Sequence, residues 1–163
     1  MIITPLLVVF LILVFVLVFL FVRTIDKRRW LTFLISLVLT PLVYFYMFYP
    51  FLNIITPFHH QKRFNAEAWE AKPGLRYEMI KNMKETDFLI GKSKTEIDSL
   101  LGKAEWLSWD EAAKAHDDNK WNYGLGLLPG AFNENKECLT VIFEDNKAVA
   151  LEQYQEEIVF EDE

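Results

Sequence analysis

The sequence predicts an α+β protein: two N-terminal transmembrane helices, then an α-α-β-β-β domain with its helices packed on an antiparallel sheet. Three observations carry this prediction. Residues 2–22 and 30–52 are uncharged and apolar, a capped helical pattern lies between Ser93 and Gly102, and beyond Gly102 the hydrophobic period changes from helical to alternating. Charge divides the chain at the same place. Residues 1–52 carry four basic side chains and one acid, a net of +3, whereas residues 53–163 carry 13 Lys/Arg and 22 Asp/Glu, a net of −9. A basic anchor joined to an acidic soluble domain produces such a split. The acidic balance argues against nucleic acid as a partner, since phosphate binding needs a basic surface.

In chain order, residues 2–22 come first, filled with Val, Leu, Ile and Phe. At about 1.5 Å per residue the run spans about 30 Å, the thickness of a bilayer core. It has no basic n-region and no small-x-small site after it, so it reads as a retained span rather than a cleaved signal. Residues 30–52 form the second run, with Tyr44, Phe45, Tyr46, Phe48, Tyr49 and Phe51 in its outer half, where rings suit the headgroup level. Pro41 should kink this helix. Thr32, Ser36 and Thr40 recur every four residues and mark a candidate helix-packing face, toward the first helix or another subunit. The competing reading has these hydroxyls bonding back to their own helix.

The connector, residues 23–29, holds Arg23, Lys27, Arg28 and Arg29 against Asp26. By the positive-inside rule it is cytoplasmic, which puts the C-terminal domain outside the cytoplasm. Lys62, Arg63 and Lys72 follow the second helix and pull the other way.

Residues 53–74 read as a linker. His59 and His60 are adjacent and cannot face one ligand together, so an interfacial or solvated pair is expected, not a metal site. Residues 64–71 read as a helical turn ending at Pro73-Gly74. The domain proper is expected over residues 75–155. Its first helix, residues 75–83, has Leu75, Met79, Ile80 and Met83 on one face and Arg76, Lys81 and Asn82 opposite. Ser93 and Glu96 form a capping box opening the second helix, whose stripe is Ile97, Leu100 and Leu101 and whose stop is Gly102.

Trp121, Tyr123 and Leu125 alternate with Asn122 and Gly124 as a strand, and Leu139, Val141 and Phe143 alternate as the next. Asp145-Asn146-Lys147 is turn chemistry, returning through a third strand over residues 148–155. Residues 106–109 could add an edge strand. Residues 110–116 read as a short helical insertion capped by Asp110, and residues 156–163 as a fraying acidic tail.

The search for chemistry finds no constellation. Gly124-Leu125-Gly126 lacks the helix start and Lys-Ser/Thr pair of a phosphate loop and reads as a turn or bulge. No nucleophile elbow surrounds Ser93, Ser99 or Ser108. Asp117, Asp118 and Asn119 lack the spacing and glycine of a calcium loop. Cys138, the single cysteine, reads as a buried structural thiol. No cofactor or metal is therefore expected. An enzyme using His116 with Asp117 or Asp118 is the alternative. The remaining signal is aromatic: Trp106, Trp109, Trp121 and Tyr123 are either core or, where exposed, the hot spot of a protein interface.

Residues 88–102 (FLIGKSKTEIDSLLG), Trp121-Asn122-Tyr123 and residues 139–149 (LTVIFEDNKAV) resemble the outer-membrane-assembly lipoprotein family known as SmpA/OmlA or BamE-like, over roughly residues 75–155. The resemblance implies a small periplasmic module that binds other proteins, without catalysis or cofactor. Family members of the lipoprotein type carry a lipid-modified N-terminal cysteine. Here two apolar helices stand in its place, which implies a multi-pass protein of the bacterial inner membrane. The expected partners are the lipid bilayer, a protein of the cell envelope and, through the helices, a second copy of the chain.

Overall fold

The computed structural model describes residues 1–157, and the remainder of the acidic tail lies outside the described residues. The described residues form two compact units, residues 1–60 with 129–131, and residues 61–128 with those from 132 onward.

The first unit is a helical hairpin. α1 (Pro5–Ile25) opens with the Thr4 hydroxyl accepting from the Leu7 N–H, and Pro5 occupies a first-turn position where its missing N–H costs nothing. α2 (Arg29–Val43) passes into a π-helical turn, Tyr44–Phe48, and continues as α3 (Tyr49–Ile55). α1 buries Leu7, Val14, Val18 and Val22, spaced by seven, four and four residues, so they share one face. α2 buries Thr32, Ser36 and Thr40. The expected back-bonding of that stripe is present. The small residues form the buried face, and each hydroxyl bonds one turn back: Thr32 to the Arg28 carbonyl (3.0 Å), Ser36 to Thr32 (2.7 Å) and Thr40 to Ser36 (2.7 Å). Pro41 lies inside α2, and a π turn begins three residues after it. His60 is not a solvated side chain. It is 9% exposed, its Nε2 lies 2.9 Å from the Tyr44 hydroxyl, and its ring stacks on Tyr49 with centroids 4.0 Å apart.

The second unit opens with α4 (Ala66–Ala71), capped by Asn65, and a 3-10 turn at Pro73–Leu75. α5 (Tyr77–Glu85) buries Met79, Ile80 and Met83 as expected. Leu75 and Arg76 exchange their expected places: Leu75 precedes the helix and is 38% exposed, and Arg76 is 8% exposed. α6 (Lys94–Leu101) carries the reciprocal Ser93–Glu96 capping box and ends at Gly102, whose φ of +80° suits glycine.

The sheet has four antiparallel strands in the order β1-β2-β3-β4, one more than the three firmly expected: β1 (Trp106–Asp110), β2 (Ala115–Leu127), β3 (Asn135–Glu144) and β4 (Lys147–Glu157). The edge strand at residues 106–109 is thus present. The helical insertion over 110–116 is not; Asp110 instead accepts from the Ala112 and Ala113 N–H groups (2.8 and 3.1 Å) in a turn, and β2 already begins at Ala115. Asp145 and Asn146 both take positive φ (46° and 64°), the two-residue turn that matches strand twist. Glu156 and Glu157 do not fray, because they pair with Lys136 and Asn135.

One sheet face joins α4, α5 and α6 in the core, contributing Tyr123, Leu125, Leu139, Val141 and Phe143 beside Trp69, Ile80, Met83, Leu89 and Ile97. β2 bulges between Gly124 and Gly126, as the glycines suggest. Gly126 has φ +94°, and a Cβ there would fall 2.2 Å from the Gly74 carbonyl oxygen, so the close approach of the 3-10 turn to β2 requires glycine.

Candidate protein-interaction site

The four aromatic residues singled out by sequence do not form one cluster. Tyr123 is fully buried in the core, its hydroxyl donating to the Gly102 carbonyl (3.0 Å). Burial holds this phenol protonated well above the ordinary tyrosine range. Trp121 is half-buried beside it, edge-on to Phe143 at 4.9 Å, with its indole N–H on the Asp118 carbonyl (3.0 Å). It lines a shallow cleft of about 550 Å³ with Leu107, Lys94 and Asp98.

Trp106 and Trp109 are placed differently, both on the edge strand β1. Trp109 is 52% exposed at the β1–β2 hairpin, its ring edge-on to His116 at 5.3 Å. Trp106 is half-buried on the sheet face turned away from the helices, with the Lys136 ammonium 5.0 Å from its ring centroid.

That second face is organised around Asn122, which sequence reasoning placed only as an alternating polar residue. Asn122 is 1% exposed. Its amide donates to the Ser108 hydroxyl (3.0 Å) and the Trp106 carbonyl (3.3 Å), and its carbonyl oxygen accepts from Thr140 (2.6 Å) and from the Tyr154 hydroxyl (3.4 Å). Every polar atom of the side chain is therefore matched, which fixes β1, β2, β3 and β4 to one another across the sheet. Cys138, fully buried in the adjacent row and paired with Gly124 and Tyr154, has its thiol pushed up to about 11 by burial and by the neighbouring Glu156 charge. It is a packing residue, not a nucleophile.

A second feature escaped the sequence reading. Arg76 reaches β2 from the start of α5: its Nε donates to the Trp69 carbonyl (2.9 Å), its Nη1 to the Gly124 carbonyl (3.0 Å) and to Glu105 (2.5 Å), and the guanidinium lies over the Trp69 ring at 4.7 Å. Glu105 in turn accepts from the Gly124 N–H (2.8 Å). Burial alone would raise the Glu105 pKa, but the Arg76 hydrogen bond and the Gly124 amide outweigh it and hold the carboxyl below its usual range. The sequence carries no local signal for this arrangement, because Glu105 and Gly124 lie 29 and 48 residues from Arg76.

His116 and its neighbouring carboxylates are not joined. The His116 ring packs on Trp109, whereas Asp117 accepts from the Asn119 N–H (2.9 Å) and lies 3.6 Å from the Lys120 ammonium. Among the described residues, no group of three or more His, Cys, Asp or Glu side chains could hold a metal. Comparison of the chain with protein-family models, with curated proteins and with solved structures finds no match.

Proposed function

We propose that this chain is a membrane-anchored protein of the bacterial envelope, in which the hairpin spans the inner membrane and the second unit is a BamE-like module that binds another protein in the periplasm. The anchor is supported by two helices of 21 and 27 residues with mean hydropathy 3.5 and 2.0. Orientation is supported by the basic connector between them, with Arg23, Lys27, Arg28 and Arg29 against a single acid. The helix, helix, meander order that carries the family resemblance is retained, with one further edge strand.

The observation that carries the binding reading is the edge strand β1. Trp109 stands half out of the surface and Trp106 lies on a sheet face whose buried polar groups are already satisfied. A rigid platform edged by tryptophan suits recognition, where such residues supply most of the binding energy. Photo-cross-linkers placed at Trp106 and Trp109 in cells test this. A discrete adduct from these positions, absent when the probe sits at exposed Glu85 on α5, is expected, and equal or no adducts would sink the reading. Reporters fused after Glu163 test orientation: a periplasm-active reporter should work and a cytoplasm-active one should not. The reverse result would place the module in the cytosol.

A further inference from the structure

The sheet ends in two unlike edges. At one, β1 is five residues long, and its pairing with β2 is irregular between Leu107 and Ser108. At the other, β4 is eleven residues long. Its start is covered: the Ala148 N–H donates to the Lys92 carbonyl (2.8 Å), the Gly91 N–H donates to the Ala148 carbonyl (2.8 Å), and Lys147 bridges to Ser93. From Val149 to Glu157, about 30 Å of strand, the outer row of N–H and C=O groups meets no other backbone group among the described residues. Open edges are commonly guarded by lysine, proline, a bulge or a covering segment. Residues 149–157 (VALEQYQEE) contain neither lysine nor proline, and the one irregularity in the pairing of β4 with β3 lies at the covered end.

What this edge carries instead is acid. Glu152, Glu156 and Glu157 are exposed, and none forms a salt bridge with a described residue. The register with β3 sets Glu152, Tyr154 and Glu156 opposite Thr140, Cys138 and Lys136, on the sheet face turned away from the helices. The Tyr154 hydroxyl, donating to the Asn122 side-chain oxygen (3.4 Å), ties that row to β2. A second copy paired antiparallel through β4 about Tyr154 would set Glu152 of each copy against Glu156 of the other, and like charges directly opposite are destabilising. The same row attracts a strand with basic side chains at two positions four residues apart and an uncharged one between them. We infer that the β4 edge is a second docking site, which takes an extended basic segment of a partner protein as a fifth strand. Main-chain hydrogen bonds supply the affinity, and Glu152 and Glu156 select the lysine or arginine side chains. This inference goes beyond the β1 reading, and neither the tryptophans of β1 nor the placement of the hairpin enters it.

The test uses the full chain in an uncharged detergent and a fluorescein-labelled peptide, Thr-Val-Thr-Lys-Thr-Val-Thr-Lys-Thr, with binding read by anisotropy at low salt. Saturable binding is expected, and the peptide with glutamate in place of lysine should not bind. Glu152→Gln combined with Glu156→Gln should weaken binding about 2- to 30-fold, the worth of two cross-strand charge pairs. Glu85→Gln combined with Glu111→Gln, an equal change of net charge elsewhere, should leave it unchanged. N-methylation of one alternate set of peptide amides should abolish binding, and methylation of the other set, which faces away from β4, should spare it. Absence of saturable binding overturns the inference. So does equal weakening by the two double variants, which would place the peptide elsewhere on the acidic surface. An equal response to the two methylated sets would mean attraction without strand pairing and would overturn it as well. The β1 reading stands or falls separately, on the cross-links at Trp106 and Trp109.

Discussion

In the first unit the buried side chains include Thr32, Ser36 and Thr40, and Leu13, Leu17, Leu37 and Val38 point outward. In the second, Ile97, Leu139 and Val141 are buried, and Lys81, Glu85 and Lys103 point outward. The backbone solution is the same in both, since hydrogen bonds are made within helices or between strands. What changes is the outer surface, and that change is the strongest physical argument for two different solvents. On the anchor reading, apolar side chains would gain nothing by leaving lipid, and the hairpin would be held by close packing along small residues. The second unit is held by removal of apolar area from water.

Five substitutions, with Glu105→Gln as a reference for the third, sharpen or break this contrast, in order of expected size. Gly126→Ala should be the most damaging in the second unit. It combines a left-handed backbone penalty of about 1–2 kcal/mol with overpacking against Gly74 of about 1–3 kcal/mol. The readout is the urea midpoint of the full chain in detergent, and an unchanged midpoint would mean that the 3-10 turn is free to move off β2. Leu17→Arg should cost about 3 kcal/mol of membrane insertion if the outward face of α1 meets lipid. It would be almost silent if that face met water, and the carbonate-resistant membrane fraction decides between the two.

Arg76→Leu leaves Glu105 with only the Gly124 N–H as a partner and takes the donor from the Gly124 and Trp69 carbonyls. The cost should be about 2–3 kcal/mol, below the range for a fully buried pair because Glu105 keeps access to water. Its pH signature has a definite sign. The Glu105 pKa is depressed in the folded state, so its contribution is present above the unfolded value of about 4.3 and is lost as pH falls through the folded value. The urea midpoint of the wild-type chain should therefore fall more between about pH 5 and pH 3 than that of Glu105→Gln. An equal fall in both would show that the pair does not contribute.

The smallest effects compare two hydroxyls. Ser93→Ala removes the α6 cap and should cost about 1 kcal/mol. Ser36→Ala removes only a bond back to its own helix and should change hairpin stability by less than about 0.5 kcal/mol. If the two costs were equal, the Ser36 hydroxyl would have to act in packing beyond its own helix.

What was legible in the sequence was whatever is encoded within one turn or one strand. The Ser93–Glu96 box, the Asp145–Asn146 turn and the four-residue hydroxyl stripe all depend on neighbours in the chain, and each is found where it was read. Arg76 was assigned to the solvent face because its partners are contributed by a distant loop and strand. Asn122 looked outward because alternation tells which face a residue lies on, not whether that face is covered. The first half of β2, from Ala115 to Lys120, overlaps the helical insertion expected over residues 110–116 only at its first two residues, and its remainder is not readable as a strand. It is polar and largely exposed, so it shows no alternation to detect. Of the candidate site, β1 was half seen through its tryptophans. The polar network beneath it was not, since it is a property of four strands at once.

The sheet's strand order has a consequence for how the molecule forms. Neighbours in space are neighbours in sequence throughout β1-β2-β3-β4, so each pairing closes only a short loop and none waits for a distant segment. Loop-closure entropy is therefore lost in small steps, and the sheet belongs to the fast end of β-containing topologies. Residues 106–157 can zip in the order in which they are synthesised, with the hairpin already complete before the first strand exists.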